Sequence, residues 1–292
     1  MKPHIRIATC RGLPEPDADR LPLQQALSAA GITFEWLAWD DPQADWHAPI
    51  TTVIRSTWNY VHAHQAFVAW AQRVAAVAPL WNDADVIAGN VHKGYLLDLA
   101  QRGVATVPTV LLPQHGVVPP DLFAAINAER IVIKPAIGAG SFGARWFAVK
   151  APGAVRAAAA HAAAIALAGD VLLQPYVASV EAYGERSLVW LDGEFSHAIR
   201  KSPRFAGDHE NIEGPLPITP AERALACAAL APLLDRILYA RVDMANDDGG
   251  QPMIMEVELI EPSLFFAKQP GSADRYVAGL ARRLLASAHR NI

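Results

Sequence analysis

Two apolar runs near the C-terminal end, Leu238–Met244 and Pro252–Ile260, are separated by Asn246-Asp-Asp-Gly-Gly250. A turn sequence of that kind joins antiparallel strands, so the segment reads as a hairpin. Side chains two apart along a strand share a face, which groups Arg241 with Asp243 and Glu256 with Glu258. If the two faces coincide, three carboxylates meet beside one guanidinium. Like charges a few ångströms apart repel unless a cation holds them. Oxygen donors without thiols or paired histidines suit Mg²⁺ or Mn²⁺ better than zinc, so Asp243, Glu256 and Glu258 are candidate metal ligands. The neighbours Met253, Ile254, Met255, Val257, Leu259 and Ile260 are apolar, unlike those of a solvated hairpin whose acids simply face water.

The chain has 292 residues, enough for two or three compact lobes, and its 52% hydrophobic and 18% charged content is that of a globular protein. A net charge of −4 without a Lys/Arg-rich run argues against nucleic-acid binding. The Ala-rich stretch Ala151–Gly169 contains Arg156 and His161 and is too short and polar to span a bilayer. Met1-Lys-Pro-His-Ile-Arg6 leads into a strand without an apolar signal region, and Cys10 and Cys227 are far apart. A reduced, cytoplasmic protein is expected. His62-Ala-His64 is the one close histidine pair; without a nearby cysteine it reads as loop rather than zinc site.

Strands alternate with helices at the start. Ile5–Cys10, Thr33–Ala38 and Thr52–Arg55 read as strands, and Leu21–Ala30 and Gln65–Ala76 as helices, which suggests a small parallel sheet. Helices are expected at His92–Arg102, Pro119–Ala128, within Ala151–Gly169, at Pro220–Leu238 and at Tyr276–Ala288. Thr106–Leu112 is extended. Arg130–Lys134, Ala144–Val149 and Val171–Val177 read as strands, and Arg186–Leu191 with Glu194–Lys201 as a hairpin about Asp192-Gly193. Phe205–Leu216 reads as an irregular loop. The expected division is an N-terminal α/β domain over 1–80, a central lobe over 81–170 and a C-terminal lobe over 171–292.

Gly138-Ala-Gly-Ser-Phe-Gly143 has the G-x-G-x-x-G spacing, but it runs into a strand, whereas a dinucleotide fingerprint opens a helix. Between two strands, such a loop is either a plain turn or a flap whose backbone N–H groups fold over phosphates. Lys93 stands at a helix start, where the dipole does not favour a cation, and Lys134 ends the apolar run Ile131-Val-Ile133. Phosphates would partner both lysines; snorkelling to water is the alternative. The segment Gln174-Pro-Tyr-Val177 could present amides and the Gln174 side chain to an adenine edge, and Glu181 could take ribose hydroxyls. The alternative there is an ordinary strand end and loop.

In this order the parts resemble the ATP-grasp superfamily, which includes glutathione synthetases, D-alanine–D-alanine ligases and ribosomal-protein glutamate ligases. The resemblance covers about residues 81–270. It implies an α/β ATP-grasp fold: a small parallel N-terminal domain, then two α+β lobes that clamp ATP. Lys93 and Lys134 resemble the family's phosphate-binding lysines, and Gly138, Gly140, Ser141, Phe142 and Gly143 its flexible loop. Gln174, Pro175, Tyr176 and Val177 resemble its adenine hinge, and Glu181 its ribose acid. Asp243, Glu256 and Glu258 resemble its Mg²⁺ ligands, and Arg241 the arginine that steadies the tetrahedral intermediate. Glu258 stands where the family usually has asparagine, and Glu261-Pro-Ser-Leu-Phe265 replaces its serine–proline–glycine. No glutathione-synthetase clamp is visible in Ser202–Gly214. Cys10-Arg11, Arg55-Ser-Thr-Trp-Asn-Tyr60, Ala198-Ile-Arg-Lys201 and Glu256–Leu264 instead resemble a compact subgroup that includes the cyclo-ligase of D-cycloserine biosynthesis.

The resemblance implies a ligase that activates a carboxylate as an acyl phosphate for attack by an amine-type nucleophile. ATP and Mg²⁺ or Mn²⁺ would be its cofactors, and Arg241 and Lys134 its catalytic residues. Arg55, Arg200 or Lys201 would pair with a substrate carboxylate, because a guanidinium fork suits it, and Trp58 and Tyr60 would either wall the pocket or be core aromatics. The expected partner is a small amino-acid-like or peptide substrate, with no nucleic acid and no membrane, and a homodimer is the candidate assembly. The rival functions are a nucleotide-binding regulatory module and, less compatible with the strand after Gly143, a dinucleotide oxidoreductase.

Overall fold

A computed structural model describes residues 4–119, 122–126, 128–140, 142–202 and 211–290. The first unit alternates strand and helix: β1 (His4–Thr9), α1 (Arg20–Ala29), β2 (Thr33–Ala38), β3 (Thr52–Ile54), a 3₁₀ turn at Trp58–His62, α2 (His64–Val77) and β4 (Leu80–Trp81). Its strands form one parallel sheet in the order β2-β1-β3-β4. Next come α3 (Ala84–Asn90), α4 (Tyr95–Gln101), β5 (Val110–Leu112), α5 (Leu122–Ala125), β6 (Arg130–Pro135), β7 (Arg145–Ala148), α6 (Ala154–Ala166) and β8 (Val171–Pro175). These strands pair antiparallel in the order β5-β8-β6-β7. The last unit holds α7 (Ser179–Ala182), β9 (Glu185–Leu191), β10 (Glu194–Lys201), β11 (Ile212–Leu216), α8 (Pro220–Leu230), a 3₁₀ turn at Ala231–Arg236, β12 (Tyr239–Asn246), β13 (Pro252–Glu258) and α9 (Ser272–Arg290). Its sheet is antiparallel, in the order β11-β10-β9-β12-β13.

Alternation along β9 and β12 decides where the cleft lies. Leu188, Trp190, Ala240 and Val242 point to one face and pack with Leu96 and Leu99 of α4 and Ala226, Ala229 and Leu230 of α8. Val189, Leu191 and Tyr239 point to the other and pack with Ile5 and Ile7 of β1, Leu23 and Leu27 of α1 and Tyr276 of α9. Two and four residues beyond Tyr239, that second face carries Arg241 and Asp243. The packing that seats the N-terminal unit therefore also aims the charged pair. The Ala-rich helix α6 lies on the central sheet: Ala158, Ala162 and Ala166 pack against Ile131, Ile133, Val171 and Leu173, and their small side chains permit close approach.

Several expectations need correction. The helix anticipated over His92–Arg102 is the shorter α4, Tyr95–Gln101, preceded by the separate helix α3, and the long one over Pro220–Leu238 gives way to a 3₁₀ turn after Leu230. Ile212–Leu216 is a strand paired with β10, within a segment expected to be irregular; residues 203–210 lie outside the described part. Strand β8 pairs with β5 and β6, so the central sheet runs past residue 170, the expected end of its lobe. Long-range pairing, invisible to local pattern, assigns that strand. Among the described residues no helix is long and apolar enough to cross a membrane.

The buried pair Arg186–Glu222 ties β9 to α8. Arg186 Nε donates to Glu222 Oε1 at 2.7 Å, and Glu222 also accepts from the Thr219 amide at 2.8 Å in a capping box. Burial works to raise the Glu222 carboxyl, but Arg186 and the Thr219 amide outweigh it and hold it below its usual range. A depressed acid contributes stability above its unfolded pKa and loses it as pH falls through the folded value. Glu222→Gln leaves Arg186 uncompensated and should cost about 3 kcal/mol at pH 7. Denaturant melts should show this gap narrowing as pH falls below the ordinary glutamate range and through the depressed folded-state value of the wild-type carboxyl.

Candidate active site

The faces of the β12–β13 hairpin coincide. Arg241 stands opposite Glu258 and Asp243 opposite Glu256, with a register shift directly after Asp243. Arg241 Nε donates to Asp243 Oδ1 at 2.9 Å and its Nη2 to Asp243 Oδ2 at 2.8 Å; Nη2 also bonds Glu258, and Nη1 reaches the Ser263 carbonyl at 3.3 Å. Lys201, at the end of β10, pairs with Asp243 Oδ2 at 3.1 Å and with Glu185. Lys93 precedes α4; its Nζ lies 2.9 Å from Glu256 Oε1 and donates to the Gly138 carbonyl at 2.5 Å. Lys134, at the end of β6, is half-buried, and no hydrogen bond or ion pair engages its ammonium among the described residues.

These pairings set the charges. Burial alone would raise Asp243, but Arg241 and Lys201 hold it far below the usual carboxylate range. Burial likewise opposes ionisation of Glu256, which Lys93 and Lys134 nevertheless keep low. Glu258 is pushed up to about 7, by burial first and then by Asp243 and Glu256, against the pull of Arg241. Lys134 is lowered by burial and by Lys93. Desolvation would lower Lys201 too, but Asp243 and Glu185 raise it instead.

Asp243, Glu256 and Glu258 thus share a face, yet their oxygens are turned onto Lys93, Lys201 and Arg241. Among the described residues no three His, Cys, Asp or Glu side chains form a closed metal cage. The donor set still fits Mg²⁺ or Mn²⁺, since such ions at phosphate sites take one or two carboxylates and draw their other ligands from water and phosphate.

The flap joins β6 to β7, as an antiparallel pair rather than a strand and helix. Gly140 has φ +57° with open space around it, and Gly143 has φ +69°. Phe142 is 62% exposed and meets the His62 ring edge-on at 5.6 Å. Ser141 lies outside the described residues. At the hinge, Pro175 lacks an N–H and the Tyr176 amide donates to the Arg130 carbonyl at 2.8 Å. The Val177 amide is left without an acceptor among the described residues. Gln174 is buried, its Nε2 donating to Thr109 Oγ1 at 2.9 Å. Glu181 is engaged by Arg130 at 2.5 Å and by the Tyr176 hydroxyl at 3.0 Å, and the Arg130 guanidinium lies 4.0 Å over the Tyr176 ring.

The residues expected to bind substrate separate. Adjacent strand residues face opposite ways, so Lys201 joins the cluster while Arg200 turns to Glu213 on β11. Arg55 is 2% exposed; it lies in the core, pairing with Asp19 at 3.2 Å and donating to the Pro262 carbonyl at 3.0 Å, so it does not line the cleft. Trp58 Nε1 donates to the Glu261 carbonyl at 3.3 Å. Tyr60 is buried and stacked on Phe67, with its hydroxyl under the influence of Glu261, Glu256 and Glu258. Sequence reasoning missed Glu185, which extends the alternation of Ser187 and Val189 by one step, and Asp19. The Asp19 carboxylate does not cap α1; it accepts from the amides of Leu264 at 2.5 Å and Phe266 at 2.8 Å.

Among solved structures, that of a D-alanine–D-alanine ligase from Bacillus anthracis complexed with ATP superposes with a TM-score of 0.67 at 16% identity, covering 99% of each chain. At that identity the likeness shows the fold alone, which is ATP-grasp. A crystal structure of D-cycloserine synthetase DcsG gives a TM-score of 0.86 at 31% identity, covering 96% of this chain and 99% of the other. The Cycloserine biosynthesis protein DcsG of Streptomyces lavendulae is 33% identical over 92% of this chain and 94% of its own. Residues 5–82 match the family described as D-cycloserine synthetase DcsG, N-terminal domain. The chain belongs to the DcsG family of ATP-grasp ligases.

The unpaired lysine yields a direct test. Lys134→Ala removes the charge-assisted partner of a phosphate and should weaken binding of a non-hydrolysable ATP analogue by about 10-fold or more in calorimetry. Unchanged affinity would mean that the ammonium merely reaches water.

Proposed function

We propose that the chain activates the carboxylate of a small amino-acid-like or peptide substrate and joins it to an amine-type nucleophile. The carboxylate oxygen attacks the γ-phosphorus of ATP and ADP leaves. The nucleophile then attacks the carbonyl carbon, its proton is lost, the acyl C–O bond breaks and phosphate departs, leaving a C–N bond. Lys134 carries this reading: a half-buried ammonium that no ion pair or hydrogen bond engages among the described residues, beside Lys93 and the glycine flap, is suited to phosphate.

In this reading Lys93 and Lys134 offset charge on the phosphates, and Arg241 faces the oxyanion that forms at the substrate carbonyl. Asp243, Glu256 and Glu258 would hold Mg²⁺ or Mn²⁺, which neutralises charge on the transferred phosphoryl group when bound. Gly138, Gly140, Phe142 and Gly143 cover the site and exclude water. The Val177 amide, without an acceptor among the described residues, takes the adenine edge, and Glu181 takes the ribose after exchanging one of its bonds to Arg130. Lys201, more than Arg200, pairs with the substrate carboxylate. Similarity to D-cycloserine synthetase DcsG favours intramolecular attack, a ring closure, over joining two molecules. A regulatory module would need nucleotide binding alone; the assembled set of Arg241, Asp243, Glu256 and Lys134 weighs against it.

Hydroxylamine intercepts acyl phosphates. With a panel of D- and L-amino acids, wild-type protein should release ADP and form hydroxamate together. Glu256→Gln should lower both at least 100-fold while the thermal melt stays within a few degrees. Tight ATP binding with neither product from any acid would transfer the protein to the regulatory reading.

A further inference from the structure

Around the hairpin nearly every charged group has a partner. Asp243 is held by Arg241 and Lys201, Glu258 by Arg241, Glu256 by Lys93 and Glu185 by Lys201. Lys134 is the cation left over, and the nucleotide reading accounts for it. The carboxylate left over is Glu261. The residue is 9% exposed; its side chain accepts from its own backbone amide, and among the described residues no ion pair and no side chain engages it. The charges that act on it most are Glu258, Lys93 and Glu256, so two of the three share its sign. A carboxylate so placed loses its hydration without gaining a counter-ion, a cost that mutation could remove by replacing it with an uncharged side chain.

Glu261 is also held in place. Trp58 Nε1 donates to its carbonyl, Arg55 donates to the carbonyl of Pro262, and Asp19 fixes the amides of Leu264 and Phe266. The backbone on both sides is thereby tied to the N-terminal unit, which keeps the side chain from swinging out to water. Two residues on from Trp58, and in the same core cluster as Ile260, is Tyr60, which is 5% exposed and whose hydroxyl forms no hydrogen bond among the described residues. Glu261 is the charge that acts on this hydroxyl most. One carboxylate and one phenol oxygen make too few hard donors for a divalent ion that wants six, but they match a monovalent N–H donor. Burial, then Glu258, push the carboxyl up to about 8, and a cation seated beside it would draw it back toward the carboxylate.

We propose that Glu261, with the Tyr60 hydroxyl, binds the ammonium group of an amino-acid substrate and so selects substrates with a free amine over N-acylated or hydroxy-acid counterparts. The inference rests on the ligase reading above and names the recognition group for its substrate. Glu261 is a substrate-binding residue here and is given no part in proton transfer.

The experiment uses the full chain and the amino acid that releases most ADP from the panel, measured beside its N-acetyl derivative and the matching 2-hydroxy acid. The quantity read is the ratio of kcat/KM for the free amino acid to kcat/KM for the hydroxy acid. In wild type the ratio should favour the amine. Glu261→Gln should cut it by about 30-fold or more, because the loss falls on the charged partner of a desolvated pair. Glu261→Asp should retain part of it. Tyr60→Phe keeps the ring stacked on Phe67 and should lower the ratio several-fold, which serves as the reading if Glu261→Gln does not fold. An unchanged ratio in Glu261→Gln and Tyr60→Phe overturns the proposal, as does a loss in Glu261→Gln that is equal for both substrates and restored by excess Mg²⁺, the behaviour of a metal ligand. Absence of ADP release by wild type with every acid removes the ligase reading itself, and this inference with it.

Discussion

The cleft is organised around a guanidinium that cannot give up its proton. Arg241 is buried in the middle of β12, where an unpaired charge would be prohibitive, so the sheet has to supply anions at fixed positions. Asp243 does so two residues on along the same face, and Glu258 does so from directly across the hairpin. The register of β12 against β13 is therefore specified twice. Apolar alternation puts Val242 and Val257 in the core, and charge puts Arg241 against Glu258. A slip of one residue would set Arg241 against Val257 and carry both acids of β13 toward the hydrophobic face.

A second buried ion pair, Asp19–Arg55, extends this frame to the N-terminal unit. Asp19 sits at the N-cap position of α1, where an aspartate ordinarily accepts from the first turn of its own helix. Here its carboxylate serves the amides of Leu264 and Phe266, more than 240 residues away, and the guanidinium of Arg55. The local energy forgone at α1 is exchanged for a fixed path of the chain after β13. The N-terminal unit thus fixes the loop that replaces the superfamily's serine–proline–glycine.

Much of this was legible in the sequence because it is periodic. Arg241, Asp243, Glu256 and Glu258 were placed on shared faces by the two-residue repeat alone, and the strand after Gly143 separated a flap from a dinucleotide loop. The same repeat should have divided Arg200 from Lys201, since neighbours on a strand cannot both face one cleft. What local pattern could not reveal was partnership across long separations. Arg55 looked like a free guanidinium because its counter-ion lies 36 residues earlier and its carbonyl acceptor 207 later. Strand β8 looked like the start of a new lobe because its partners, β5 and β6, were not evident from its own residues. Glu261 was visible only as a departure from a motif, and its isolation became meaningful once every neighbouring acid had been matched to a base.

The pairing pattern also bears on how a ligand enters. Lys93, Lys201 and Arg241 supply the positive charge that the acids of the hairpin require. An anion that takes Lys93 must compete with Glu256 at 2.9 Å and with the Gly138 carbonyl at 2.5 Å, because one ammonium has only three N–H bonds to give. Drawing Lys93 toward a phosphate therefore loosens its hold on the root of the flap and leaves Glu256 in need of another cation. Under the proposed function, nucleotide, metal and flap would be linked through that single ammonium. Binding at this site is an exchange of partners more than an addition of charge, which keeps its electrostatic cost small in a cleft where burial penalises every unmatched ion.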